Sequence, residues 1–381
     1  MNEVELQGSA STRVNLLGLP RPQLEAWCER LGSKPFRARQ LMNWLYKRGC
    51  DRFENMSNLA KDFRVQLEQQ AEITLPEILR VQRASDDTCK WLLGADAGQA
   101  FEMVYIPETD RGTLCISSQV GCALDCSFCA TAQQGFNRNL STAEIVGQVW
   151  LANRELGFKP AGERIITNVV LMGMGEPLAN YRNVVPALHI LLDDLGFDLS
   201  RRRVTLSTSG LVPQIYKLAQ ESNVALAVSL HAPDDALRTQ LVPINRLHPI
   251  AELLDACWHY IDERNGRSVT FEYVMLEGIN DSPRQARALA ALLVGHPAKV
   301  NLIPFNPFPG IPYRRSSEPV IARFRDELLR AGVHATVRRT RGEDIDAACG
   351  QLVGRVLDRT TVRLGTRIGA AQSRSRARAS V

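Results

Sequence analysis

No apolar run in the 381 residues is long enough to span a bilayer, and no basic-then-apolar stretch opens the chain. The first absence argues against a helical membrane protein. The second leaves no secretory signal to read in MNEVELQGSAST, so a cytoplasmic protein without a membrane partner is expected. No solenoid-type repeat is found, and the only low-complexity stretch is an Arg/Ser/Ala tail. The nine cysteines are an odd, mostly scattered set, which speaks for reduced thiols in a reducing compartment and against a disulfide scaffold. A uniformly basic body is missing too. Net charge is +5, but Arg359 to Val381 holds six Arg and no acid; without that tail the rest stands at −1. A polyanionic partner would therefore meet local patches: Arg201, Arg202 and Arg203; Arg314 and Arg315; Arg338, Arg339 and Arg341; and the tail. The tail reads equally well as a solvated appendage.

What is present is an ordinary globular composition, 45% hydrophobic and 23% charged, long enough for two or three domains or one α/β barrel with additions. Residues 14–76 read as helical. RPQLEAWCERLG has helical spacing and a terminal Gly; PFRARQLMNWLYKRG has Pro35 at its entry and Gly49 at its exit; SNLAKDFRVQLEQQ is a third amphipathic segment. Arg37, Arg39, Lys47 and Arg48 make this module basic, fit either to grip a nucleic-acid backbone or to cap the fold. Strands follow from Lys90: KWLLG, AFEMVYIP and TLCISSQ. After Cys129, apolar runs (RIITNVVLMG, RRVTLSTSG, VALAVSLHA, SVTFEYVMLEG, KVNLIPFNP) alternate with helical segments at 141–156, 181–195, 212–222, 250–264, 282–294 and 317–331. Runs apolar enough to be buried on both faces, separated by helices, predict parallel βαβ units. Six strand–helix repeats argue for an α/β fold of parallel or partial barrel type. The expected division is 1–95, a helical accessory domain; 96–345, the barrel; and 346–381, a C-terminal segment with the basic tail.

Polar and Gly residues gather where each strand ends: Gly173, Gly175 and Glu176; Ser207 and Ser209; Ser229 and His231; Asn306. In parallel barrels that end is the active face. Before them comes GCALDCSFCATAQQGFNRNLS, with Cys122, Cys126 and Cys129 in C-x3-C-x2-C spacing. A closed zinc site needs a fourth ligand, usually from a second Cys pair; no second C-x2-C exists, and Cys115 on the preceding strand is the nearby candidate. The other thiolate reading is an iron–sulfur cluster with one iron left open.

The ordered set TLCISSQVGCALDCSFCATAQQGFNRNL, GMGEPLANY, TLSTSG, SLHA, NLIPFNPFPG and DIDAACGQL resembles radical S-adenosylmethionine enzymes, and within them the adenine-C2 group of the RlmN/Cfr family of RNA methyltransferases. The resemblance runs from about Val14 to about Leu364. It implies a partial (β/α)6 barrel behind a small N-terminal helical domain. It implies a [4Fe-4S] cluster on Cys122, Cys126 and Cys129, whose open iron chelates S-adenosylmethionine, used twice per turnover. Gly175 and Glu176 match the motif for the methionine amino group. Ser207, Ser229, the backbone of Leu230, His231 and Asn306 match contacts to the cofactor's carboxylate, ribose and adenine. Cys349 matches a cysteine that accepts a methyl group. Adenine C2 is electron-poor and cannot attack a sulfonium, so the methyl is first parked on Cys349, made a carbon radical, and added to the base. Cys115 matches the thiol that resolves the covalent RNA adduct by forming a disulfide, and Glu102 the base that removes the C2 proton. Cys28, Cys50, Cys89 and Cys257 lack such contexts.

The implied substrates are adenine in 23S rRNA near the peptidyl transferase centre and adenine beside the anticodon in tRNA, bases that can be splayed out of their stacks. A cellular electron donor is implied, and a monomer is expected. Two alternatives stand beside this: a C8-methylating relative, and a non-catalytic RNA-binding protein with a structural metal.

Overall fold

The computed structural model describes residues 13–160, 162–264, 268–360 and 364; the basic tail beyond 364 lies outside the described residues. A short strand, Val14–Asn15, opens the described residues and pairs parallel with Ala71–Glu72, so the stretch expected to be helical is framed by two strands. Between them lie three helices: α1 (Arg21–Arg30), α2 (Phe36–Met42) and α3 (Lys61–Gln70). Their apolar stripes bury Leu24, Trp27, Leu41, Met42, Phe63 and Leu67 with Leu16 and Leu17. Pro35 stands at the entry of α2. The chain then widens into one π-turn over Asn43–Lys47, with Arg48 N bonded to Asn43 O at 3.1 Å, and leaves at Gly49 with φ +60°.

Four strands follow: β1 (Ile78–Arg83), β2 (Cys89–Gly94), β3 (Ala100–Glu108) and β4 (Arg111–Cys115), each antiparallel to the next. The sheet thus begins before residue 96, and the expected border between helical module and barrel falls inside it. From β4 the pairing turns parallel. The units are α4 (Thr142–Glu155), β5 (Asn168–Leu171), α5 (Tyr181–Leu192), β6 (Val204–Thr208), α6 (Val212–Glu221), β7 (Ala225–Ser229), α7 (Asp235–Leu241), α8 (Ile250–Arg264), β8 (Val269–Met275), α9 (Pro283–Leu293), β9 (Ala298–Pro304), α10 (Glu318–Arg330) and β10 (His334–Val337). Strand order in space repeats strand order in the chain, β10 to β1, as successive βαβ crossovers produce. Capping boxes start α4 at Ser141 with Glu144, and α9 at Ser282 with Gln285, satisfying amide groups that a helix start leaves free. Six strand–helix units stand as expected, plus a seventh parallel strand, β10, four residues long.

The expectation that these strands are buried on both faces holds on one face only. Toward the helices, Val204, Leu206, Leu226, Val228, Phe271, Tyr273, Val300 and Leu302 are sealed. The alternate residues Thr205, Ser207, Thr270 and Asn301 are half-buried. With Val170, Ala227 and Ile303 beside them on the same side, the period-two alternation gives the sheet a mixed polar and apolar inner face with room in front of it. The chain after β10 returns across that room: Arg355 pairs with Ala100 at the head of β3. The N-terminal module sits behind, where Trp150 of α4 donates its indole N–H to Leu45 O at 2.8 Å. Among the described residues no helix is long and apolar enough to cross a membrane.

Candidate active site

β4 ends at Cys115, and the chain then forms a hairpin of Gln119–Gly121 with Phe136–Asn139. The three-cysteine loop hangs between its arms. Gly121 is left-handed, φ +81°, and a Cβ there would run into the carbonyl of Gly135, which accepts Cys122 N at 2.8 Å. Cys122, Cys126 and Cys129 line one cavity of ≈ 160 Å³ with Gly173, Gly175, Glu176, Ser207, Ser209, Ser229, His231 and Asn306. Residues from five loops, far apart in sequence, thus meet at the C-terminal mouth of the strands. Burial, then neighbouring thiols, raise Cys122 well above the ordinary thiol range and push Cys126 up to about 12; burial raises Cys129. Metal binding to these thiols would therefore release protons.

Gly175 has φ +99°, and a Cβ there would lie 2.5 Å from Gln119 Cβ, so this loop tolerates no side chain. It brings Glu176 into the interior, where Oε2 accepts Ser209 N at 2.8 Å and Oε1 accepts Leu178 N at 3.1 Å. Burial raises the Glu176 pKa against those hydrogen bonds. His231 is also left-handed, φ +60°. Its Nδ1 accepts Val274 N at 3.0 Å, and its ring meets Phe128 edge-on at 4.6 Å. Burial pulls its pKa down to about 3, so the ring is neutral and Nε2 carries the proton. Leu230 does not line the cavity: its N–H donates to Glu272 O at 3.1 Å, and its carbonyl accepts Ala232 N at 2.8 Å.

A second, larger chamber of ≈ 640 Å³ lies deeper along the strands, walled by Thr113, Thr205, Thr270, Asn301 and Thr336. Cys115 faces only this chamber; Cys349 faces both. Burial, then Cys349, pushes Cys115 up to about 12, and both thiols are free. Cys349 is held by the returning segment. Ala130 N donates to Gly350 O at 2.8 Å, Thr131 Oγ1 to Leu352 O at 2.8 Å, and Gln134 exchanges two hydrogen bonds with Gly354. That segment is thereby laced to the helix start directly after Cys129.

Glu102 lines neither chamber. It is 5% exposed, paired with Lys90 at 3.3 Å, and accepts Val353 N at 2.9 Å. Burial raises its pKa, with Lys90 opposing. Two residues that the sequence analysis did not single out as site members stand in both chamber walls. Glu272 Oε2 accepts Asn301 Nδ2 at 2.8 Å. Arg338, noted before only within a basic patch, is raised in pKa chiefly by Cys349. An acid in the middle of the apolar run SVTFEYVM was the one available signal for Glu272.

The donor set suits an open cluster. Three thiols line one cavity, while the candidate fourth, Cys115, faces the other chamber. With Cys115 turned to the other chamber, no fourth cysteine among the described residues completes a zinc site beside the three; three thiols at the edge of an open cavity suit a cluster with one iron left free. The acid and neutral hydroxyl, imidazole and amide groups around the same cavity suit an amino-acid-bearing nucleoside.

The comparisons with known proteins agree with this arrangement. Residues 14–73 match the ribosomal RNA large subunit methyltransferase N-terminal domain, and residues 116–290 the radical SAM superfamily. The chain is 54% identical over 353 residues to the dual-specificity RNA methyltransferase RlmN of Marinobacter nauticus (strain ATCC 700491 / DSM 11845 / VT8), spanning 92% of this chain and 95% of that one. The crystal structure of a radical SAM methyltransferase from Sphaerobacter thermophilus superposes with a TM-score of 0.82 at 45% identity, covering 89% of this chain and 99% of that one.

Proposed function

This chain belongs to the RlmN family of radical S-adenosylmethionine RNA methyltransferases, and we propose that it methylates C2 of adenine in 23S rRNA at the peptidyl transferase centre and in tRNA beside the anticodon. The family's cofactors are a [4Fe-4S] cluster and S-adenosylmethionine. Cys122, Cys126 and Cys129 hold the cluster. Gly175 and Glu176 take the amino group of S-adenosylmethionine, with Ser207, Ser229, His231 and Asn306 around the rest. Bound there, the cofactors supply a methyl group in one round and a hydrogen-abstracting radical in the next.

The observation that carries the reading is the place of Cys349, on the wall between the three-cysteine cavity and the chamber that holds Cys115. On one side its sulfur takes the methyl group. On the other, the activated carbon adds to adenine, and the one unpaired electron of the adduct would be returned to the cluster before the C2 proton leaves. Cys115 then attacks the Cys349 sulfur: an S–S bond forms, the S–C bond to the adduct breaks, and the carbon keeps the electron pair and takes a proton. Glu102 is the base for the C2 proton. Its place behind Leu352 and Val353 means that the returning segment must shift before it serves. The helical module over 14–73 grips the RNA through Arg37, Arg39 and Arg48. The protein works in the cytoplasm as a monomer, fed by a cellular electron donor.

Cys115→Ala and Cys349→Ala test the assignment. Both should abolish turnover. Only Cys115→Ala should retain RNA covalently on a denaturing gel, because only release uses Cys115. RNA held by Cys349→Ala would reverse the two roles. Nucleoside analysis of the wild-type product tests the position, and 8-methyladenine would replace the C2 reading.

A further inference from the structure

Arg238 of α7 is fully buried, among the largest side chains to be so. Among the described residues no carboxylate comes within ion-pairing distance of it. Neutral oxygens hold it instead: Nε donates to Leu230 O at 3.2 Å, Nη1 to Asn245 Oδ1 at 2.7 Å, and Nη2 to Ser209 O at 2.7 Å and Ser229 O at 3.1 Å. Asp235 reaches it through Asn245, whose Nδ2 donates to Asp235 Oδ1 at 2.9 Å. A buried charge without a direct partner is costly, and burial pulls this guanidinium down to about 10.

Its other flank is the cavity side. Ser209 and Ser229, whose carbonyls take Nη2, line the cavity together with Cys126. The last residue of α7, Leu241, takes the amide of Ser127 at 3.0 Å, so the helix bearing Arg238 is tied to the cysteine loop itself. On the other side of Ser209 stands Glu176, the proposed partner of an ammonium.

We propose that Arg238 is the fixed counter-charge of the iron–sulfur cluster, stabilising its reduced state while fixing the ends of β6 and β7. The inference rests on the reading that Cys122, Cys126 and Cys129 hold the cluster. Reduction adds one electron, drawn from the external donor, to a group already bearing thiolate charge. A cation in dry surroundings favours the more negative state, and cluster potentials follow local charge and hydrogen bonding. Arg238 acts through Ser209 and the field, so it is a positioning residue.

The test uses full-length protein reconstituted without oxygen, as wild type, Arg238→Met, Arg238→Gln and Arg238→Lys. Iron and sulfide are counted, and the reduced fraction is read by electron paramagnetic resonance at one imposed potential. The neutral variants should show a reduced-to-oxidised ratio lower by about tenfold, equal to about 59 mV for a one-electron couple. Arg238→Lys keeps the charge and should stay near wild type. A merely structural arginine would lower cluster content yet leave the ratio unmoved in the clusters that form, and that result would overturn the proposal. If neither neutral variant assembles a cluster, Asn245→Asp decides, since it sets a carboxylate oxygen where Oδ1 now accepts Nη1 and so offsets the charge while the arginine stays: a ratio lowered by about tenfold supports the proposal, and an unmoved ratio defeats it. A wild-type protein without iron–sulfur absorption would defeat the cysteine reading itself.

Discussion

His231 shows how a residue is chosen by its backbone as well as its ring. A left-handed φ of +60° is uncommon outside Gly, Asn and Asp, and here it turns the ring so that Nδ1 receives Val274 N. The neutral form is the one buried, with a pKa of about 3 against 6.5 in the open chain. The unfolded chain therefore binds more protons between those values. The His231 contribution is complete above about pH 6.5 and is lost as pH falls toward 3. At pH 5 the loss should reach about 2 kcal/mol; urea unfolding across this range should show it, and His231→Asn should flatten the slope. Gly175→Ala meets Gln119 at 2.5 Å in a left-handed loop. It should weaken S-adenosylmethionine binding by about tenfold or more, read by equilibrium dialysis, with iron content little changed. The thiol spacing was legible because three ligands lie within eight positions of one loop. Glu272 and Arg338 were not, because only the closing of the sheet brings strands β8 and β10 to face Cys349.

At the scale of elements, six of the seven helices from α4 to α10 could be read from periodicity within a few residues of their ends; α7, seven residues long, was not. β1 and β10 were not separated. β1 is an exposed edge strand, with Leu79 and Val81 facing outward, and so lacks the buried apolar run that marks its neighbours. β10 has four residues directly after a helix and a Gly turn. That the sheet starts at Ile78, ahead of residue 96, has an experimental consequence. Deleting residues 1–90 removes β1 and cuts into β2, so that protein should aggregate. Deleting only through 73 leaves the sheet whole; it should lower RNA affinity by about tenfold or more while iron per chain holds. Filter binding beside iron analysis separates the two. The returning segment depends on Gln134, which exchanges hydrogen bonds with both backbone groups of Gly354. Gln134→Ala should cost about 1–3 kcal/mol locally, visible as faster amide exchange over 349–355 with the cluster absorption unchanged.

For the whole molecule, the near-neutral body outside the tail means that no general attraction delivers RNA, and the basic patches must do it locally. The sheet's open inner face sets the rest. Had the strands been sealed on both sides, as their composition suggested, the molecule would have been one solid core. Instead two spaces adjoin along it, and Cys349 stands in the lining of both. A side chain on such a border has two neighbourhoods within reach of one sulfur. Whatever that sulfur carries changes surroundings by turning about the bonds of a single residue, with no domain obliged to travel.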